Sequence, residues 1–234
     1  MITLVKSRER GYTSLGWLKS YHSFSFGEYY DPNKMHLGPL RVLNDDIIQP
    51  GSGFPTHPHS NMEIVTIVFE GAVAHNDSTG GKGLISANEI QRMTAGSGIM
   101  HSEFNASDTE VLKLIQIWFL PNKAGHKPSY EQKKFSTEEK VNKLLKVVSG
   151  EKSNGVIYIN QDAEIYLSYL EKEKSISYKI KTGRGIYIHL FEGEISVNEN
   201  QLISGDAVKI INEPELTIAS FTNSKLILFD MNME

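Results

Sequence analysis

Short apolar runs punctuated by Gly, Asn and Asp dominate the chain. Arg41-Val-Leu, Glu63 to Phe69, Val111 to Phe119, Gly155 to Ile159, Ile165 to Leu170, Ile186 to Phe191 and Lys225 to Phe229 are rich in β-branched and aromatic residues. Bounded by turn formers, they predict strands, and many short strands predict an all-β sandwich or barrel. One segment breaks the pattern. Ser136 and Glu139 have capping-box spacing, and Val141, Leu144, Leu145 and Val148 recur on one helical face before Gly150. A helix is therefore predicted from Ser136. The stretch before it, Pro121 to Pro128, carries two prolines, a glycine and two lysines and reads as a loop. The domain boundary is placed near residue 130, dividing the chain into 1–130 and 131–234.

An internal comparison supports that division. Phe69-Glu-Gly71 is matched by Phe191-Glu-Gly193 at an offset of 122 residues, and Ala87-Asn88 by Gly205-Asp206 at 118. Two similar hairpins at nearly one spacing predict a duplicated β domain.

Composition narrows the chemistry. The 234 residues carry a formal charge of −4 with a pI near 6.1, so there is no basic field for direct nucleic-acid binding. Cysteine is absent, which excludes disulfides and thiolate ligands and leaves His and carboxylate to hold any metal. The first ten residues reach charge before any apolar stretch, and Val111 to Leu120 is too short to span a bilayer. A protein with no membrane segment and a cytoplasmic location is expected.

The most informative stretch is Gly51-Ser-Gly-Phe-Pro-Thr-His57-Pro-His59-Ser-Asn-Met-Glu63. Residues two apart on a strand share a face, so His57 and His59 can direct both imidazoles at one point. Ala95-Gly-Ser-Gly-Ile-Met-His101-Ser-Glu103 repeats the spacing, and 44 residues separate the members of each pair in order. Two such pairs could present three imidazoles and one carboxylate to a single centre.

Gly51 to Gly71 resembles the first cupin motif, and Gly98-Ile-Met-His101 the end of the second. More closely, Phe54-Pro-Thr-His-Pro-His59, Met93 to Glu103 and Gln116-Ile-Trp118 resemble the pirin family. Tyr21 to Asp31, Gly38 to Asp46 and Ser129-Tyr-Glu-Gln132 are similar to its bacterial branch. The resemblance implies two tandem cupin β-barrels, a bicupin, with a metal in the N-terminal one. It also implies His57, His59, His101 and Glu103 as ligands, iron as the metal, and quercetin 2,3-dioxygenase activity in some members. Seven residues, Ile64 to Glu70, follow Glu63 where the cupin motif has six. Ile64 then occupies the usual ligand position, Glu63 is expected on the other strand face, and Glu103 supplies the carboxylate, as in pirins.

Adding the offsets to the ligand positions gives Lys179, Lys181, Ala219 and Phe221, so the second half is expected to lack a metal site. His189, alone in an apolar strand, reads as structural. His22, His36, His75 and His126 read as surface or hydrogen-bonded residues. Phe24, Phe26, Tyr29 and Tyr30 read as core or as a pocket for an aromatic substrate. Gly80-Gly-Lys-Gly83 is not a phosphate loop, and no Gly-x-Ser-x-Gly elbow is present.

Four protein ligands on a six-coordinate ion leave two positions for substrate or dioxygen. Three neutral imidazoles and one carboxylate leave a divalent ion with net charge near +1, which favours an anionic enol or phenol oxygen. The expectation is one divalent ion, Fe(II) foremost, with Ni, Mn, Co, Cu or Zn as alternatives. It would act on a flavonol-like or other enol substrate and dioxygen, with Glu103 as ligand and possible base. The competing expectation is a non-enzymatic metal sensor acting through a regulatory protein partner.

Overall fold

The structure is a computed structural model and describes residues 1–233. In chain order the strands are β1 (Ile2–Val5), β2 (Gly11–Ser14), β3 (Leu18–His22), β4 (Leu40–Ile48), β5 (Gly53–His59), β6 (Glu63–Glu70) and β7 (Ala72–Asp77). Then come β8 (Lys82–Ser86), β9 (Glu89–Thr94), β10 (Ile99–Asn105), β11 (Leu112–Phe119), β12 (Ser129–Lys134), β13 (Leu145–Ser149), β14 (Ile157–Tyr158) and β15 (Ala163–Leu170). The rest are β16 (Ser175–Lys179), β17 (Arg184–Glu192), β18 (Glu194–Val197), β19 (Asn200–Ile203), β20 (Ala207–Ile211), β21 (Glu215–Ser220) and β22 (Ser224–Asn232). Among the described residues no helix is long and apolar enough to cross a membrane.

The chain forms two compact units. The first, Gly11–Phe135 with Ile159–Gln161, has a seven-stranded sheet in the order β12-β9-β6-β11-β4-β3-β2 and a four-stranded sheet β5-β10-β7-β8. The second takes Met1–Arg10, Ser136–Tyr158 and the chain from Asp162 onward. Its sheets run β1-β20-β17-β22-β15-β13-β14 and β16-β21-β18-β19. Strand for strand the orders correspond, which is the duplication: each unit is a cupin-type β-barrel. Both Phe-Glu-Gly turns occupy the same place, and Gly71 and Gly193 have φ of 79° and 103°, a region that a residue with a Cβ enters only under strain.

The exchange between units falls at Phe135 and Ser136 rather than near residue 130. The reason is that β12 pairs with β9 of the first unit along its whole length. The slot beside β20, equivalent to the one beside β9, is filled by β1, which draws the first ten residues into the second unit.

The helix expected from Ser136 does not form. Its start signal is real, since Ser136 N donates to Glu139 Oε2 at 2.8 Å and Glu139 N to Ser136 Oγ at 3.3 Å. The turn ends as a three-residue 3-10 segment, Glu138–Lys140, because Asn142 turns to a φ of 53°. Beyond it the β-branched pair Val147 and Val148 is buried in β13, which pairs with β15.

The second unit encloses a dry core that includes Ile186, Ile188, Val208, Leu226 and Leu228. The first is different at the same level. A polar rung, Gln91–Thr66–Gln116–Asn44–His22, crosses β9, β6, β11, β4 and β3, and each of its members is buried.

Candidate metal centre

The rung faces a cluster on the four-stranded sheet. On β10, His101 lies opposite His57 of β5 and Asp77 of β7, while Glu103 lies opposite Phe54 and His75. Period-two alternation therefore puts three adjacent strands' polar side chains on one inner face. The ring centroids of His57, His59 and His101 are 4.8, 4.4 and 4.9 Å apart pairwise, and one nitrogen from each lies within 4.8 Å of the others.

Two of the three imidazoles, His59 and His101, are disfavoured as cations. His57 Nδ1 donates to the Pro55 carbonyl at 2.7 Å, which leaves Nε2 as the lone-pair nitrogen. Burial, with His57 adding to it, holds His59 down at about 4. Burial and then the neighbouring imidazoles of His57, His59 and His75 hold His101 at about 3. Both ring nitrogens of buried His101 lack a hydrogen-bond partner. A buried polar group without a partner is costly and rare, and an ion shared with His57 and His59 would satisfy it.

Glu103 is the carboxylate grouped with His101 and His75. Its Oε1 accepts from Thr66 Oγ1 at 3.3 Å and its Oε2 from Gln116 Nε2 at 2.5 Å. Burial pushes its pKa up to about 7 against the opposing pull of these two donors. Gln116 Oε1 in turn accepts from Trp118 Nε1 at 3.3 Å, and the Trp118 ring meets His59 edge-on at 4.7 Å. Gln116-Ile-Trp118 thus orients both a carboxylate and an imidazole.

Glu63 is elsewhere. Fully buried, it accepts from Thr94 Oγ1 at 2.9 Å and Asn160 Nδ2 at 3.1 Å, three residues from Thr66 and on the opposite face of β6. Ile64 packs with Met93, Ala95 and Ile99. His189 is buried in the second unit, pushed down to about 3 chiefly by burial. His36 and His126 bond to Gly38 O and Asn122 Oδ1. Phe24 is core, Phe26 lines a cavity, and Tyr30 is exposed.

Register revises the second-unit equivalents. Four residues beyond each Phe-Glu-Gly turn, His75 corresponds to Val197, which pairs with Ile218 as His75 pairs with Glu103. Leu216 and Tyr178 then stand for His101 and His57, and Ile180 for His59. Hairpin loops of unequal length break the constant offset that pointed to Lys179, Lys181, Ala219 and Phe221. These four equivalents also include no metal-binding set.

One pair was missed at the sequence level. His75 Nε2 contacts Asp77 Oδ2 at 3.1 Å, and His75, His101 and Glu103 form a second group with ligand atoms within 4.8 Å. The signal was His75-Asn-Asp77, the same alternate spacing on a third strand.

Beside the cluster lies a cavity of about 600 Å³ lined by His57, His59 and Glu103 and by Leu15, Leu18, Phe26, Phe54 and Trp118 among others.

Residues 4–119 match the family described as Pirin, and residues 146–231 the Quercetinase C-terminal cupin domain. A quercetin 2,3-dioxygenase of Escherichia coli K12 is 43% identical over 231 residues, 99% of each chain. A pirin-like protein of Caulobacter vibrioides is 39% identical, covering 92% of this chain and 93% of its own. The crystal structure of the Escherichia coli bacterial pirin YhhW in complex with nickel(II) superposes with a TM-score of 0.94 at 42% identity over 99% of both chains. Matched across both barrels and along nearly its whole length, this chain belongs to the pirin family.

Proposed function

We propose that this chain is a metal-dependent dioxygenase in which His57, His59, His101 and Glu103 hold one divalent ion, iron(II) foremost, and a flavonol-like or other enol substrate occupies the adjoining cavity. The observation that carries this reading is the clustering of His57, His59 and His101 within ligand distance of one another, with buried Glu103 grouped with His101 and a cavity with aromatic and aliphatic walls beside them. Three nitrogens and one carboxylate suit nickel, named with the Escherichia coli relative, and equally manganese, cobalt, copper or zinc. The bound ion would supply Lewis acidity toward an enol or phenol oxygen and the affinity for dioxygen.

The chain's own work is to orient, exclude water and take a proton. Phe26 and Trp118 meet edge to face at 5.4 Å, and with Phe54 they confine a flat ring in a site of low polarity. Glu103 accepts the proton of the substrate's enolic hydroxyl on a carboxylate oxygen. Thr66 and Gln116 fix its plane throughout. A cavity of small-molecule size beside the donor set favours turnover of a small molecule over regulation through a protein partner.

Protein purified without oxygen and loaded with iron(II) should consume oxygen on addition of quercetin, at a rate lowered at least about a hundredfold in Glu103→Ala. Fully metallated protein that takes up no oxygen with any of a panel of flavonols and enols would reject the reading.

A further inference from the structure

The same cavity has a second polar wall that the metal does not use. Asn44 and Asp46 stand two residues apart on β4, beside Gln116 and Leu114 of β11 and His22 and Ser20 of β3, and both line the cavity. Asn44 Oδ1 is taken by His22 Nδ1 at 2.8 Å, and His22 Nε2 by Thr13 Oγ1 at 2.9 Å. Since Asn44 Oδ1 can only accept, His22 must carry its proton on Nδ1, and Thr13 donates to Nε2. This chain fixes the amide and leaves its NH2 group, which makes no bond to the protein, as a donor.

Asp46 is the more unusual member. Its carboxyl accepts from Ser20, yet Oδ1 is buried without a partner and the residue is 2% exposed. An orphaned carboxylate oxygen costs free energy in the folded protein. A position bordering a ligand cavity offers the missing partner, a donor that arrives with the ligand. Leu15, Leu18 and Phe26 on the surrounding walls restrict that ligand to one with an apolar body.

We propose that Asp46 and Asn44 form a hydroxyl-recognising wall, in which Asp46 Oδ1 accepts a hydrogen bond from a second hydroxyl of the substrate, remote from the oxygen directed at the metal centre, and Asn44 donates alongside. The substrate class is then a polyhydroxylated planar aromatic rather than a simple enol. This inference rests on the flavonol reading above and adds to it a determinant of selectivity. Burial raises the Asp46 pKa to about 7, with Ser20 opposing it and the charges of Asp45 and Glu103 adding to it. Ionised or protonated, the group retains an acceptor oxygen.

The test is equilibrium binding, without oxygen, of quercetin and of 3-hydroxyflavone, which lacks every hydroxyl but one, to metal-loaded protein by calorimetry. Wild-type protein should bind quercetin at least about tenfold more tightly, the size expected of one hydrogen bond to a charged or strongly polar acceptor. Asp46→Leu, which removes the acceptor at similar volume, should erase most of that preference by weakening quercetin alone, and flavonols lacking one hydroxyl at a time should identify the group it contacts. Equal affinity of wild-type protein for the two ligands would overturn the wall while leaving the metal-centred reading intact, and it needs no variant to fold. A preference that persists undiminished in folded Asp46→Leu would overturn it as well. Failure of both ligands to bind would overturn the flavonol reading and the wall together.

Discussion

Gln116 joins four other residues at one point: it donates to Glu103, accepts from Trp118, and stands on the rung beside Thr66 and Asn44. Both pairs, His57 with His59 and His101 with Glu103, were legible from strand alternation, because His-x-His and His-x-Glu need nothing but period two. Their supports were not, although Thr66 and Gln116 each interrupt an otherwise apolar buried strand, which is the trace such residues leave. Asp46 makes a separate prediction. Its carboxyl has a folded pKa near 7 against 3.8 in the ordinary state, so it binds its proton more tightly when folded. Its contribution is therefore favourable below about pH 4 and is lost as pH rises through 7. Asp46→Asn in the metal-free protein should exceed wild type in stability at pH 8, by on the order of 4 kcal/mol. That advantage should shrink toward pH 4. Urea unfolding at the two pH values measures it, and a difference that does not depend on pH would contradict the assignment. A stability cost retained in the wild-type sequence is the mark of a residue kept for binding.

At the scale of the element, local signals decided some boundaries and were overruled at others. The capping pair at Ser136 and Glu139 forms as its spacing predicts, but a cap specifies only where a turn begins. Val147 and Val148 gain more from burial in a sheet than from a short amphipathic helix, and that gain depends on β15, a partner distant in sequence. Close approach of β5 to β10 sets the histidine geometry. A Cβ on Gly53 would lie 2.3 Å from Glu103 O and 2.4 Å from Phe104 Cα, so glycine is required by space. Gly53→Ala should force the two strands apart and destabilise the protein by about 1–3 kcal/mol. Because His57 and His59 ride on the same strand, it should weaken metal binding too. Thermal unfolding of metal-free and metal-loaded protein separates the two losses. A variant as stable and as well metallated as wild type would show that the strands can move without consequence.

Across the whole molecule, one topology is used twice with different contents. Duplication was visible in two Phe-Glu-Gly turns, since a positive φ demands glycine wherever that turn recurs. The unit boundaries were not visible, because β1 and β12 fill equivalent edge slots from unrelated places in the sequence. In one barrel the central rung is Gln91–Thr66–Gln116–Asn44–His22. In the other the corresponding level holds Val208, Ile188 and Leu228, joined by Tyr166 and Lys146 toward the edge. An apolar filling supports a fold, whereas a buried polar rung with a partnerless imidazole before it implies a ligand. The account therefore turns on where metal is held. Metal content per chain, measured by elemental analysis after loading with iron(II) and exhaustive dialysis, tests it directly in wild type, His57→Ala, His101→Ala, Glu63→Gln and His189→Ala. The account predicts close to one ion per chain in wild type, Glu63→Gln and His189→Ala, and loss of most of it in His57→Ala and His101→Ala. Equal content in all five proteins, or loss in Glu63→Gln alone, would contradict it.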